Sequence, residues 1–237
     1  MSAAPPNPPP PTSKPGLALR PLECLILALV AGAIVWGGIH FAHPLFHVPK
    51  EFDIPNIGAP PERHAAHRRE KNKLDRWHAA IYLGGLGLLI AAALGLREGH
   101  RRRSWLPPLF AMPLGAIGGA IGGILGCLVY ERLGPNVGEL GPTITAQMLA
   151  AAPLGLGVGL GLGLATKSVG AAMKTALAGV AAGALAGIIY SIAVSLLFPE
   201  ASTDALLPAE ASTRLLWLGM FAGMIGLVIP LAAQRSK

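Results

Sequence analysis

The stretch that decides the fold reads Gly115-Ala-Ile-Gly-Gly119-Ala-Ile-Gly-Gly123-Ile-Leu-Gly126. Glycine recurs there at every fourth position, and on an α-helix residues four apart lie on the same face. The pattern therefore predicts a helix with one stripe that carries no side chains. In a lipid bilayer, such a stripe lets two helix backbones approach closely. The stretch thus predicts a membrane helix packed through Gly115, Gly119 and Gly123.

A second stretch, 64 residues further on, repeats the glycine spacing of the first. It reads Gly179-Val-Ala-Ala-Gly183-Ala-Leu-Ala-Gly187-Ile-Ile-Tyr190. The same offset aligns the glycine stripes of the two stretches and matches Pro135 with Pro199. We interpret the agreement as an internal repeat, in which a hairpin of two helices occurs twice. The second stripe, formed by Gly179, Gly183 and Gly187, is therefore predicted to pack as the first one does.

A third glycine pattern reads Gly155-Leu-Gly157-Val-Gly159-Leu-Gly161-Leu-Gly163. Alternation of this kind is typical of a strand in water, but a single strand in lipid leaves its backbone groups unpaired, so a helix is favoured. On a helix, Gly155, Gly159 and Gly163 form one bare stripe, and the two remaining glycines form another. We therefore predict that this helix contacts two neighbours near the centre of the bundle.

The composition indicates a membrane protein. Hydrophobic residues make up 52% of the chain and charged residues 13%, against about 25% charged residues in soluble domains. Apolar runs of at least 18 residues occur six times, and each can cross a hydrocarbon core of about 30 Å. The sequence therefore predicts an all-α fold, a polytopic membrane bundle of about six glycine-rich transmembrane helices. The predicted spans are residues 22–41, 79–96, 106–130, 143–165, 175–198 and 215–233.

These runs divide the chain into four parts. Residues 1–21 are rich in proline and predict a disordered tail. Residues 22–105 predict a first helical hairpin with a polar and basic connection over 42–78. Residues 106–170 and 171–237 are the two predicted hairpin copies. Pro61 suits the first turn of a helix, and the charged residues after it are predicted to continue as helix into the second span.

The net charge of +7 comes from basic residues at the edges of the apolar runs. Such residues pair with anionic lipid headgroups, so we predict the lipid bilayer as partner, with headgroups at Arg101, Arg102 and Arg103, and no nucleic acid. The short arginine-rich connection 97–103 favours the cytoplasm. We predict a bacterial inner-membrane protein with a cytoplasmic N-terminus, although the basic stretch 63–76 would then lie outside.

Three histidines, His40, His43 and His47, are spaced three and four residues apart. Imidazole is a common metal ligand, so this cluster predicts a possible zinc or copper site. Pro44 interrupts a helix at that point, and the alternative is a group of interfacial histidines without metal. The sequence indicates no cofactor. The remaining four histidines lie in polar segments and are predicted to be solvated: His64, His67, His78 and His100.

No enzyme signature appears in the chain, neither a zinc-protease motif, a nucleophile elbow, a CxxC pair nor a phosphate-binding loop. Cys24 and Cys127 are predicted to be buried and too far apart for a disulfide. The leading hypothesis is a non-enzymatic structural or accessory membrane component that can associate with itself or with a membrane-protein partner through its glycine faces. Two alternatives stay open: a small-solute transporter or channel with a pathway between the repeats, and a metal-handling membrane protein.

The second repeat also carries a resemblance. Its stretch Ala182-Gly-Ala-Leu-Ala-Gly-Ile-Ile-Tyr190, the exit Leu196-Leu-Phe-Pro199 and the approach Ser212-Thr-Arg-Leu-Leu216 resemble a group of uncharacterised bacterial multi-pass membrane proteins of the kind found in planctomycetes. The likeness covers about residues 175–220. It implies a similar helical bundle, and it carries over no activity and no functional residues.

Overall fold

The computed structural model describes residues 20–42, 44–52, 60–133, 140–200 and 205–234. Within these ranges the chain is helical and contains no strand. All six long helices are apolar enough to cross a membrane, which confirms the predicted all-α, six-span membrane fold. Of the predicted tail 1–21, residues 1–19 lie outside the described residues, and Pro21 is already the first residue of α1. The helices are α1 (Pro21–Ala42), α2 (Pro61–Arg102), α3 (Leu106–Leu133), α4 (Leu140–Leu164), α5 (Val169–Leu197) and α6 (Ala211–Gln234), with a short 3-10 helix at Lys50–Phe52.

Helix α2 is much longer than a membrane span. Its 42 residues extend over about 63 Å at 1.5 Å per residue, roughly twice the thickness of the hydrocarbon core. It begins with Pro61 in the first turn, so the predicted continuation of the charged stretch into the second span is confirmed. We call residues 61–78, which precede the apolar part of α2, the projecting helix.

The connection between α2 and α3 is shorter than predicted. Residues 97–102 were expected in a loop, but they belong to α2, which ends at Arg102. The helix persists because the carboxylate of Glu98 pairs with the arginines three and four positions further on. Arg103 then adopts a left-handed conformation, with φ 51° and ψ 43°. The Ser104 N–H donates to the carbonyl of Gly99 at 2.9 Å, which ends the helix.

Helices α2 to α5 form a consecutive row, in which each helix packs against the next one. Helix α4 contacts both α3 and α5, as its two glycine stripes predicted, and it continues through Pro153 without ending there. Helices α1 and α6 pack against each other, and this pair contacts the row through α2 and α5.

The large side chains of the core come from every second helix. The largest fully buried residues lie on α2, α4 and α6, and include Leu86, Leu154 and Trp217. Helices α3 and α5 bury mainly glycine and alanine instead. Exposed large apolar residues such as Ile117 and Leu177 lie on the outer surface, as expected where helices contact lipid.

The bundle has two ends that differ in structure. At the first, which we call the turn end, α2 turns tightly into α3 and α4 into α5, and α1 begins. At the second, the loop end, the projecting helix meets the longer connections, including residues 44–52 and 205–210. Cys24 lies in the first turn of α1 and Cys127 in the last two turns of α3. Both are buried free thiols, as predicted.

Candidate functional site

The stripe of glycines on α3 lies against the backbone of α2. A Cβ atom added at any of the three glycines would lie well within 3.0 Å of an α2 carbonyl group, closer than real Cβ contacts come. The helices therefore touch backbone to backbone, and no larger side chain fits between them. The contacting pairs are Gly115 with Gly87, Gly119 with Leu83, and Gly123 with Ala79.

The stripe on α5 has the corresponding relation to α4. An added Cβ would again collide with the backbone of the preceding helix, and the three contact points on α4 are spaced by four residues, as they are on α2. Each stripe thus packs on the helix before it. For α3 this partner, α2, lies outside the predicted hairpin 106–170. The contacting pairs are Gly179 with Gly155, Gly183 with Ala151, and Gly187 with Gln147.

Helix α4 uses its two stripes on two partners. Gly159 and Gly163 face the first turns of α5, where they meet Thr175 and Ala172. On the other side, Gly157 meets the carbonyl of Leu114 on α3. Three successive interfaces in the row, α2–α3, α3–α4 and α4–α5, are therefore formed by direct backbone contact.

The histidine cluster is only partly described. Helix α1 ends at Ala42, because a residue before proline disfavours the helical conformation. His40 is exposed and stacks on Trp36 at a centroid distance of 5.2 Å, and His47 is exposed beyond the helix. His43 lies outside the described residues. Among the residues that the structure describes, no group of three potential ligands comes together, so the metal site stays a prediction.

His78 was predicted to be solvated, and this is wrong, because the residue is 4% exposed. It lies where α2 enters the bundle, and the segment after α1 covers it. The backbone N–H of Phe46 donates to His78 Nε2 at 3.0 Å, and the His78 ring stacks between the rings of Phe46 and Tyr82. The contact with Phe46 spans 32 residues of sequence, so no local pattern could reveal it.

The projecting helix is fixed to the rest of the loop end by polar contacts. Arg76 Nε donates to Glu131 Oε1 on α3 at 2.6 Å, and the second guanidinium nitrogen contacts the other carboxylate oxygen. Near the outer end of the same helix, His67 Nδ1 donates to the carbonyl of Phe52 at 2.9 Å. A two-point contact between arginine and a carboxylate holds both orientation and distance. The projecting helix therefore has a fixed direction relative to the bundle.

A polar cleft of about 390 Å³ lies between the projecting helix and the loop end of α3. Asp75 and Lys71 come from the projecting helix, Tyr130 and Glu131 from α3, and Leu206 from the segment before α6. The cleft thus carries charges of both signs, with acidic and basic side chains from two helices. The sequence offered no signal for it, since its walls come from three separate parts of the chain.

The inner side of this cleft is closed by Leu206, which is 3% exposed and fills the space beside Gly126. The amide of Gln147 donates to the Leu206 carbonyl at 3.1 Å and accepts from Trp217 Nε1 at 2.7 Å. Arg214 is 6% exposed and donates to two backbone carbonyls of the same segment. Hydrogen bonds from Gln147 and from Arg214 thus hold the segment before α6 against the bundle.

Several basic residues at the turn end form ion pairs with carboxylates. Glu98 is 2% exposed and accepts from Arg101 Nη2 at 2.8 Å and from Arg102 Nε. Across the bundle, Arg97 Nε donates to Glu23 on α1 at 2.9 Å. Arg101 and Arg102 are therefore engaged with a carboxylate, and the binding of headgroups at Arg101, Arg102 and Arg103 stays a prediction. The two arginines follow Glu98 by three and four residues, and this spacing is the local sequence feature that indicates the ion pairs.

A second cleft, of about 640 Å³, opens where α2 turns into α3. Leu96, Gly99 and His100 line it from α2, and Arg103 and Trp105 from the turn. Within the described part of the chain, Arg103 makes no ion pair. This cleft combines a free guanidinium group with an apolar wall.

The two ends also differ in charge. Among the described residues, seven basic and two acidic side chains lie at the turn end, and nine basic and seven acidic side chains lie at the loop end. Their formal charges are therefore +5 and +2. The turn end is the more basic of the two, and a positive charge of this kind attracts anions. Comparison of the chain with protein-family models, curated proteins and solved structures finds no match.

Proposed function

We propose that this integral membrane protein is a non-enzymatic structural or accessory component of a bacterial inner membrane, in which a tightly packed bundle holds the projecting helix in a fixed position at one membrane face. The observation that carries the proposal is the continuity of α2. One unbroken helix runs from the outer end of the projecting helix to the turn end, and its apolar part packs against α3 along three backbone contacts. The helix can therefore present its charged surface to a partner without moving.

The packing also supports a static role over transport. A transport pathway between the repeats would need a gap that opens between α3, α4 and α5, and in these interfaces backbone touches backbone. The polar cleft at the loop end is closed on its inner side by Leu206, which is held by Gln147. Closed interiors of this kind favour a scaffold over a small-solute channel or transporter.

A partner for the projecting helix can be sought by photo-crosslinking in living cells. A photo-reactive amino acid at the exposed position Arg69 should give a discrete adduct with one membrane or periplasmic protein, because the side chain faces outward from a fixed helix. The same reagent at Leu185, an exposed apolar position on α5, is the matched control and should give no protein adduct. Adducts are identified by mass spectrometry.

Two outcomes distinguish the proposal from its rivals. An adduct between two differently tagged copies of this chain would indicate self-association as the role of the projecting helix. An absence of adducts from Arg63, Arg69 and Lys73, in cells that contain normal amounts of the protein, would contradict an accessory role through this surface.

The charge difference between the ends supports a cytoplasmic turn end, because basic residues in short connections are retained in the cytoplasm. Both termini would then be cytoplasmic, and the projecting helix would be periplasmic. With Cys24 and Cys127 replaced by alanine, Arg69→Cys should react with a membrane-impermeant maleimide on intact spheroplasts. Lys167→Cys, at the exposed turn between α4 and α5, should react only after permeabilisation. The reverse pattern would invert the proposed orientation.

A further inference from the structure

The cleft at the turn end owes its shape to the tight turn after α2. Gly99 permits this turn, since an added Cβ would lie 2.6 Å from the carbonyl oxygen of Ser104 and 3.2 Å from Pro108 Cδ. The back of the cleft is therefore formed by backbone atoms and a proline ring. Three side chains with hydrogen-bond donors line the cleft: His100, Arg103 and Ser104.

The charge of the cleft comes mainly from Arg103. The two preceding arginines are paired with Glu98, whereas Arg103 has no carboxylate partner among residues 20–42, 44–52, 60–133, 140–200 and 205–234. With an imidazole and a hydroxyl beside it, the guanidinium group offers several donors and a positive charge. This is the chemistry that binds a phosphate oxygen.

The walls of the cleft are apolar and continue onto the outer surface. Leu96 is 46% exposed and Trp105 is 80% exposed, and the next outward-facing residue on α3, Leu109, is also exposed. A tryptophan in this position is typical of the boundary between hydrocarbon and headgroups. An inorganic anion would gain nothing from these walls, but an acyl chain attached to a phosphate would pack along them.

We propose that the turn-end cleft binds one anionic phospholipid. Its phosphate is held by Arg103, with His100 and Ser104 beside it, and the first part of an acyl chain lies along Leu96 and Trp105. The site differs from a general attraction of the basic turn end for lipid headgroups, because it depends on Arg103 and Trp105, whereas Arg101 and Arg102 share the Glu98 carboxylate, which offsets one of their two positive charges.

Native mass spectrometry of the full chain, titrated with phosphatidylglycerol or phosphatidylcholine in detergent, tests the proposal. The wild type should retain one phosphatidylglycerol molecule at concentrations at which phosphatidylcholine is lost. Arg103→Gln should weaken this retention about fivefold, the factor expected for one basic contact with an anionic lipid. Lys174→Gln is the matched control, since it removes one charge from the same end, on α5 and away from the cleft, and it should leave retention unchanged.

A second pair of measurements separates a lipid from a free anion. Trp105→Ala should also weaken phosphatidylglycerol retention, because it removes the wall for the acyl chain, and an excess of inorganic phosphate should not displace the lipid. Equal losses in Arg103→Gln and Lys174→Gln would overturn the proposal in favour of unspecific charge attraction. Full displacement by inorganic phosphate, with no effect of Trp105→Ala, would overturn it in favour of a site for the free anion.

Discussion

Replacing Gly119 with leucine is expected to destabilise the bundle by about 3 kcal/mol, the upper part of the usual range for overpacking. The side chain would enter the contact between α3 and the carbonyl of Leu83 on α2. A carbonyl group in a helix cannot rotate away as a side chain can, so the two helices must separate. Gly183→Leu should have a similar effect, because it meets the carbonyl of Ala151 on α4. Thermal melting in detergent measures both.

The chain offers a matched control for these variants. Gly85 also lies in the apolar part of α2, but an added Cβ there meets no atom within 4 Å. The free energy of unfolding of Gly85→Leu is therefore expected to lie within about 0.5 kcal/mol of the wild-type value, as is usual for substitutions away from packed positions. If the leucine variants at positions 85, 119 and 183 melted alike, direct backbone packing would not determine the stability of the row.

The second large effect is expected from Glu98→Gln at the turn end. The Glu98 carboxylate is 2% exposed and accepts from Arg101 and Arg102, and Arg102 Nη2 is already buried without a hydrogen-bond partner in the described part of the chain. Breaking a buried pair leaves an uncompensated charge and costs about 3–5 kcal/mol. Because Arg101 is 37% exposed and water screens it, we expect about 2–3 kcal/mol.

Glu23→Gln provides the comparison, since it removes a carboxylate from an ion pair at the same end. Its side chain is 45% exposed, so solvent replaces the lost partner, and the expected loss of stability is much smaller than that of Glu98→Gln. Chemical or thermal unfolding of both variants at two salt concentrations measures the difference. A larger effect of Glu23→Gln than of Glu98→Gln would show that burial does not govern these pairs.

Much of the fold could be predicted from local patterns. Hydropathy and length were sufficient for the six spans, because a membrane helix must be apolar over its whole length. The start of α2 at Pro61 followed from the conformational preference of proline. The spacing of four residues placed Gly155, Gly159 and Gly163 on one helix face, since helical geometry relates them directly.

The end of α2 shows how a local pattern can also mislead. The cluster of charges at residues 97–103 was interpreted as a loop because basic residues are common between spans. The same residues contain Glu98 followed by arginines at the third and fourth positions, a spacing that stabilises helices. Both patterns are local, and the helical one prevails because its ion pairs are partly shielded from water.

The sequence by itself determined the six spans and the faces on which glycine lies, because hydropathy and helical periodicity act between residues that are near one another in the chain. Only the tertiary structure decided which helix each face meets. The stripe of Gly119 packs on α2, and Gln147 joins Trp217 across 70 residues. It also decided that His78 and Arg214 are buried, since distant segments cover them. Contacts of this kind depend on how whole helices fit together, and no spacing within one helix specifies its neighbour.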